Sequence, residues 1–266
     1  MKNIIYSLST FLVIIFLFVR LSPEKKEGFT WPKGKKVAVS LTFDDGRASQ
    51  VEVGTALLDK YGVKATFYVV PSAVETRLKG WKKAVKNGHE IGNHSLNHPC
   101  TGNFNWSRDH ALEDYSIEDM KKELTSANEQ IKSLLGVTPE VFAYPCGQTF
   151  VGRGKDTKSY VPVVAELFKS GRGWMDEAPV DPTYCDFAQL TGMEMDGKDF
   201  DEVKKMIESA RESGKWLVLA GHDMGEGGAQ TTRLSMLEDL MKYAADPANG
   251  VWLAPVGTVG NYVANK

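Results

Sequence analysis

Two short motifs of the N-terminal half place pairs of acidic or imidazole side chains close together in the sequence. Asp44 and Asp45 are adjacent in the run Thr-Phe-Asp-Asp-Gly, and His94 and His98 are four residues apart in the run His-Ser-Leu-Asn-His-Pro. Carboxylates and neutral imidazoles are common ligands of zinc and similar metals. Because successive side chains of a strand point to opposite faces, one carboxylate can bind a cation while the other handles a proton.

A third motif, Gly-His-Asp, places His222 late in the chain. One carboxylate and two imidazoles would make a three-ligand metal site. A catalytic zinc typically has three protein ligands and keeps a position open for water, whose pKa it lowers to about 7. The second carboxylate can then accept the proton of that water, and a separate histidine can protonate a leaving group.

Each motif taken singly also has a purely structural interpretation. The acidic pair can be a solvated Asp-Asp-Gly turn, the spaced histidines can be a surface pair, and His222 can be a hydrogen-bonded rim residue. His89 and His110 fit such structural or exposed roles better than ligand roles. The five side chains become a predicted catalytic site because all of them follow predicted strands.

The elements that would position these residues are short apolar runs alternating with amphipathic stretches. Strands are predicted at 37–43, 65–70, 89–92, 141–144, 187–190, 216–220 and 251–254, and helices at 50–61, 78–87, 116–135, 160–169, 199–213 and 231–244. This alternation indicates a parallel sheet with crossover helices. About seven such units favour an α/β fold built as one distorted (β/α) barrel, in which active sites lie at the C-terminal strand ends.

The N-terminus is predicted to be a leader, residues 1–27, preceding a single domain at 28–266. Lys2 precedes an apolar run from Ile4 to Val19, which is typical of an export signal. The run is short for a membrane span of about 20 residues, and no clear cleavage site follows it. A cleaved signal peptide and an uncleaved membrane anchor both stay open, and either would place the domain outside the cytoplasm.

Charge and cysteine content limit the alternatives further. The formal net charge is −2, which gives no electrostatic reason to expect a nucleic-acid partner. The three cysteines, Cys100, Cys146 and Cys185, leave at least one thiol free or paired between chains. The sequence does not say which two would pair, and the absence of Cys-x-x-C argues against a cysteine zinc site.

These motifs, in this order, resemble those of the polysaccharide deacetylase family with the NodB homology domain. The resemblance runs from about Val37 to Tyr262 and implies a distorted β/α barrel. It also implies a metal-dependent hydrolase that removes acetyl groups from carbohydrate. The roles it implies are general base for Asp44, metal ligands for Asp45, His94 and His98, and general acid for His222.

The family's Arg-x-Pro-Tyr-Gly motif is altered in this chain. Ala143 occupies the arginine position and Cys146 the aromatic position, although the proline and the glycine match. The resemblance implies that the Cys146 backbone N–H helps to hold the oxyanion, and a backbone donor survives the side-chain change. The missing arginine would orient the base, and Arg172 is the predicted replacement.

The resemblance also implies residues around the substrate. Trp174 and Leu219 match positions that line the acetyl pocket, whereas Phe104, Trp106 and Tyr144 are predicted either to stack on sugar rings or to pack in the core. The carboxylate that partners the catalytic histidine has three candidates: Asp223, Asp176 and Asp196.

The implied substrate is an acetylated polysaccharide, such as peptidoglycan, a chitin-type glycan or acetylated xylan, with the loop 100–115 deciding among them. The cofactor is a divalent metal, for which one aspartate and two histidines favour zinc (Zn²⁺). Two alternatives remain: a non-catalytic carbohydrate-binding protein that keeps the fold, for which the altered motif is the reason, and a structural metal protein.

Overall fold

The computed structural model describes residues 29–266. The predicted leader, residues 1–27, lies outside the described residues. Within residues 29–266, no helix is both long enough and apolar enough to cross a membrane.

Short strands and longer helices alternate along the described chain. The strands are β1 Val37–Phe43, β2 Thr66–Val69, β3 Glu90–Asn93, β4 Val141–Ala143, β5 Phe150–Val151, β6 Lys158–Ser159, β7 Ser170–Arg172, β8 Met193–Glu194, β9 Trp216–Gly221, β10 Asp223–Gly225, β11 Thr231–Arg233 and β12 Val251–Leu253. The α-helices are α1 Thr55–Lys60, α2 Pro71–Thr76, α3 Leu78–Lys86, α4 Ile117–Leu135, α5 Val161–Leu167, α6 Phe200–Glu212, α7 Leu234–Ala245 and α8 Val256–Ala264.

The main sheet is parallel and has the order β7-β4-β3-β2-β1-β9-β8. Strand β1 lies at its centre and pairs with β9 along its length, while β2 and β12 share its other side. All seven residues of β1 are buried, and its side chains contribute to two separate apolar clusters: Val37, Val39, Leu41 and Phe43 to one, and Ala38 to the other. Burial on both faces explains why this strand is a continuous run rather than an alternating one.

The sheet curls so that its two end strands, β7 and β8, approach each other. Leu190 joins this seam, because its N–H donates to Gly171 O at 2.7 Å and its carbonyl accepts from Gly173 N at 2.8 Å. The predicted distorted β/α barrel is confirmed, with the seam closed by an irregular segment rather than by a regular strand pair.

Several predicted elements are correct and two are wrong. Helix α4 begins at the predicted capping box, in which Ser116 Oγ accepts from Asp119 N at 3.1 Å, and it ends at Gly136 with φ 75°. The predicted strand 187–190 is instead a 3₁₀ turn, Phe187–Gln189. The helix predicted at 231–244 begins at Leu234, three residues later than predicted. Residues Thr231–Arg233 form strand β11 instead, which pairs with β10.

Candidate active site

Two of the predicted catalytic residues follow adjacent strands and are tied together through their backbones. Asp44 comes directly after β1, and its N–H donates to Gly221 O at 2.9 Å, at the end of β9. The buried side chain of Gln50 donates from Nε2 to Asp44 O at 2.6 Å and to His222 O at 3.0 Å. The relative position of Asp44 and His222 is therefore set by main-chain and amide contacts that do not use their own side chains.

Asp45, His94 and His98 bring three ligand atoms to one point. Asp45 Oδ1 is 3.5 Å from His94 Nε2 and 3.4 Å from His98 Nε2, and the two imidazole nitrogens are 3.1 Å apart. Ligands of a tetrahedral zinc at about 2.0–2.1 Å would be separated by roughly 3.3 Å. The donor set and its spacing therefore fit a small divalent cation.

A side-chain hydrogen bond orients the His94 ring, and backbone hydrogen bonds hold the segment that carries His98. His94 Nδ1 lies 2.9 Å from Ala143 O, and since a carbonyl only accepts, the proton is on Nδ1 and the Nε2 lone pair faces the ligand cluster. His98 N donates to Ser95 Oγ at 2.9 Å. Glu123 of α4, a buried carboxylate, accepts from the N–H groups of Leu96 and Asn97 and so anchors the segment between the histidines.

Three site residues adopt left-handed backbone conformations that non-glycine residues rarely take. Asp45, His98 and Cys146 have φ of 71°, 51° and 55°. Each such conformation costs about 1–3 kcal/mol and persists only where the surroundings hold it. The strain is thus located at two proposed metal ligands and at the proposed oxyanion donor.

His222 is oriented by a buried carboxylate. Its Nδ1 is 2.7 Å from Asp196 Oδ2, and Asp196 Oδ1 accepts from Thr232 Oγ1 at 2.6 Å. The Nδ1–H bond fixes the tautomer and leaves Nε2 for proton transfer. Of the three candidate partners, Asp196 is therefore the one that contacts His222. Asp176 instead accepts from Gly192 N at 2.8 Å, and Asp223 pairs with Arg47.

Arg172 contacts the carboxylate of Asp44. The last residue of β7, it donates from Nη2 to Asp44 Oδ1, and both side chains are almost fully buried. Arg172 is also the register partner of Ala143 in the neighbouring strand β4. The altered motif has Ala143 where an arginine is expected, and Arg172 supplies a guanidinium from the paired position of the neighbouring strand.

Comparisons with known proteins match part of this chain to one protein family. The family described as "Polysaccharide deacetylase" matches residues 32–160. Residues 32–160, just under half of the chain, therefore match this polysaccharide deacetylase family. The matched segment includes both halves of the ligand set but ends before Arg172, Asp196 and His222, which the fold brings to the same site.

Two bacterial relatives match parts of this chain. The peptidoglycan-N-acetylglucosamine deacetylase PgdA of Listeria monocytogenes is 41% identical over 70 residues, 26% of this chain and 15% of that protein. The protein YlxY of Bacillus subtilis is 38% identical over 91 residues, 34% of this chain and 25% of that protein. The chain therefore spans a quarter or less of the length of these two relatives.

Solved structures support the polysaccharide deacetylase fold over a larger part of the chain. A Mycobacterium smegmatis protein provisionally described as a polysaccharide deacetylase superimposes with a TM-score of 0.62 at 17% identity. The match covers 90% of this chain and 93% of that protein. At this level of identity the likeness establishes the shared fold.

The candidate active site opens into a cavity of about 620 Å³. Trp174 lies beside His222, with ring centroids 4.7 Å apart, and Trp106 lies beside His98, with centroids 5.8 Å apart. Cys146 also lines the cavity, and it forms a disulfide with Cys100. The pairing that the sequence left open is therefore Cys100 with Cys146, and Cys185 is a free thiol.

Two predicted pocket residues lie elsewhere. Tyr144 is buried in an apolar cluster with Phe142 and Tyr160, and its hydroxyl donates to Ala188 O at 2.7 Å. Leu219 is fully buried in β9 and packs in the main core. Neither side chain lines the cavity, because both point into the packed body of the barrel.

Arg47 is a site residue that the sequence reasoning missed. Its Nε donates to Asp45 Oδ2 at 2.8 Å, its Nη1 to Asp223 Oδ2 at 2.8 Å and its Nη2 to Gln230 Oε1 at 2.9 Å. It thereby holds the Asp45 oxygen that does not face the imidazoles. The available signal was that Arg47 lies two residues after a proposed ligand. This signal is weak, because an arginine close to an acidic residue in sequence is common in solvated turns.

The electrostatics of the cluster favour an ionised carboxylate and a neutral second imidazole. Burial raises the pKa of Asp45, but the His94 hydrogen bond and the nearby imidazoles outweigh it, so that this pKa lies far below its ordinary value. Burial, together with the neighbouring imidazole of His94, lowers the pKa of His98 to about 4. Burial opposes charge on Arg172, yet Asp44 raises its pKa, so the guanidinium stays protonated.

Proposed function

We propose that this protein is a metal-dependent hydrolase that removes acetyl groups from an acetylated polysaccharide. The observation that carries the proposal is the meeting of Asp45, His94 and His98 at one point, with Asp44 and His222 beside them. A three-ligand set flanked by one carboxylate and one carboxylate-supported imidazole has the groups that acetyl hydrolysis needs.

The residues divide the proton transfers between them. A divalent cation held by the three ligands would act as a Lewis acid and lower the pKa of water. Arg172 binds Asp44 Oδ1, which leaves Oδ2, 4.0 Å from His94 Nε2, to accept the proton of the attacking water. His222, held by Asp196, donates a proton to the departing sugar oxygen or nitrogen.

Charge that develops on the acetyl carbonyl oxygen would be stabilised by the Cys146 N–H. Its left-handed backbone belongs to the Pro145–Gly147 turn at the cavity wall. A preorganised backbone donor of this kind typically contributes about 3–4 kcal/mol to transition-state stabilisation. Trp174, packed against His222, is proposed to line the space for the acetyl methyl group.

The proposed cation is zinc, because neutral imidazoles and one carboxylate are typical zinc donors. The proposed substrates carry acetyl groups on nitrogen or oxygen, as in peptidoglycan, chitin-type glycans and acetylated xylan. The relative named as a peptidoglycan deacetylase acts on the first of these. Such substrates lie outside the cytoplasm, in agreement with a leader at residues 1–27 that exports the domain at 28–266 or anchors it in the membrane.

The non-catalytic alternative rested on the altered third motif. Arg172 supplies the charge that Ala143 lacks, so this reason no longer favours a binding protein over an enzyme. A purely structural metal site would not need a proton acceptor and a carboxylate-supported histidine around its ligands.

Acetate release from acetylated polysaccharides, with chelator and with added zinc, tests the proposal. We expect Asp44→Asn and His222→Ala to keep the metal and lose at least a hundredfold in kcat. His94→Ala is expected to lose the metal as well. Wild-type turnover by metal-replete Asp44→Asn would refute the assignment of the base, and no acetate release from any acetylated substrate by zinc-loaded wild type would refute the function.

A further inference from the structure

Exposed apolar side chains are concentrated at the rim of the active-site cavity. The large hydrophobic side chains that are exposed within residues 29–266 are those of Val53, Phe104, Trp106, Met175 and Tyr184. Phe104, Trp106 and Met175 all line the cavity that contains the ligand cluster. Exposed apolar groups scattered singly need no explanation, whereas a group of them around one polar site indicates a binding surface.

Phe104 and Trp106 form a stacked pair within this rim. Their ring centroids are 5.4 Å apart with an interplanar angle of 16°, and the side chains are 42% and 62% exposed. Trp106 also lies 5.8 Å from the His98 ring. The pair therefore presents a broad aromatic surface next to a proposed metal ligand. Burying these rings in the core would lower the free energy of folding more than leaving them exposed.

The loop that carries the pair is fixed to the catalytic machinery. The disulfide joins Cys100 to Cys146, and Ser107 Oγ accepts from Cys100 N and donates to Cys100 O, both at 2.9 Å. Thr101 N donates to Gln148 Oε1 at 2.8 Å. Because both ends of the aromatic segment are held, the rings keep a set distance from the reacting groups and bind without a large ordering cost.

The apolar surface extends well beyond an acetyl group. Trp106 lies on the His98 side of the ligand cluster, while Trp174 and Met175 lie on the His222 side. The proposed function assigns the contact with the acetyl methyl group to Trp174. That role leaves the Phe104 and Trp106 rings, on the other side of the cavity, for a different part of the ligand.

We propose that the Phe104–Trp106 pair is a platform for a second pyranose ring, adjacent to the sugar that loses its acetyl group. This inference rests on the proposed function and deepens it. The favoured ligand is a β-linked chain whose ring substituents are equatorial, because such rings expose axial C–H groups that pack on an aromatic surface. The platform selects oligomers over single sugars without taking part in the chemistry.

The platform makes a specific kinetic prediction. Trp106→Ala and Phe104→Ala should each lower kcat/KM on an acetylated oligosaccharide by roughly tenfold, mainly through KM, because an aromatic contact of this size is lost. The loss on 4-nitrophenyl acetate, which has no second sugar ring, should be much smaller than the loss on the oligosaccharide. Trp106→Phe, which keeps an aromatic surface, should restore most of the loss.

The experiment compares these variants on N-acetylated chito-oligosaccharides and acetylated xylo-oligosaccharides of one to four sugars. Tyr184→Ala is the matched control, since Tyr184 is 92% exposed and does not line the cavity. The expected result is a wild-type gain in kcat/KM from one sugar to two that disappears in Trp106→Ala. An unchanged gain in Trp106→Ala, with active wild type, overturns the platform. Wild type that is inactive on every substrate overturns the proposed function instead.

Discussion

The guanidinium of Arg172 donates a hydrogen bond to the carboxylate of Asp44, a residue 128 positions earlier in the chain. Their side chains are 0% and 4% exposed, so the pair is shielded from water and from salt. Arg172 stands beside Ala143 in the paired register of β7 and β4. The positive charge that the altered motif lacks on β4 is thus present on the neighbouring strand β7, where it contacts the proposed general base Asp44.

Arg172→Ala is expected to lower kcat by about a hundredfold or more, because it leaves a buried carboxylate without its charged partner. Arg172→Lys, which keeps the charge but loses the planar donor, should lose less activity. Circular dichroism and metal content separate this effect from unfolding. Wild-type kcat in a folded, metal-loaded Arg172→Ala would contradict this role of Arg172.

Asp196→Asn should reduce kcat by about 10²–10⁴-fold while metal binding is kept, because the amide no longer fixes the His222 tautomer or stabilises its protonated form. Steady-state kinetics on the preferred acetylated substrate checks this. Asp176→Asn is the control, because Asp176 accepts from Gly192 N and does not contact His222. Equal losses in the two variants would show that the effect is not specific to the histidine partner.

The sequence predicts the long, strongly patterned elements and the residues that follow them. The apolar run at 37–43 and the capped helix after Ser116 were both predictable from local pattern, and so were the two motifs that supply the ligands. Strands β7 and β8 were not predictable, because they have three and two residues, and one contains a glycine. No period-two pattern can be recognised over so short a run.

These two short strands explain why the partner of His222 stayed open among three carboxylates, although Arg172 was already predicted as the replacement for the missing arginine. Arg172 ends β7, and Asp196 follows β8 by two residues. Their positions depend on how the barrel closes, which is a property of long-range pairing rather than of local sequence. The sequence could therefore name three carboxylates for His222 but could not choose among them.

Arg47→Gln should weaken zinc binding by about tenfold, because a group that orients a ligand carboxylate is removed. Removing the positive charge of Arg47 would by itself strengthen cation binding, but a partly exposed charge contributes only about 1 kcal/mol or less. The orientation effect is therefore expected to win. Competition with a chromogenic chelator measures the affinity, and Arg77→Gln, a partly exposed arginine paired with Glu52, is the control. Tighter zinc binding by Arg47→Gln would show that charge dominates.

Glu90→Gln is expected to stabilise the protein at neutral pH. Burial raises the pKa of Glu90, with hydrogen bonds from Thr66 and Gly257 offsetting part of the effect. The folded state therefore holds this proton more tightly than the unfolded state, so stability from this group is present below about pH 4.5 and is lost as pH rises. The advantage of Glu90→Gln should grow with pH above 4.5 and vanish below it. Denaturant unfolding at several pH values, with exposed Glu129→Gln as control, tests the sign.

Removing the disulfide should cost both stability and activity. It closes a loop of 46 residues, which corresponds to about 4 kcal/mol in the chain-entropy description. It also joins the segment after His98 to the turn that carries the proposed oxyanion donor, so kcat/KM should fall together with the melting temperature. The double variant Cys100→Ala/Cys146→Ala tests this without a reductant, and Cys185→Ala is the control for loss of a thiol. If the double variant kept full activity while melting earlier, the bridge would stabilise the fold without positioning the site.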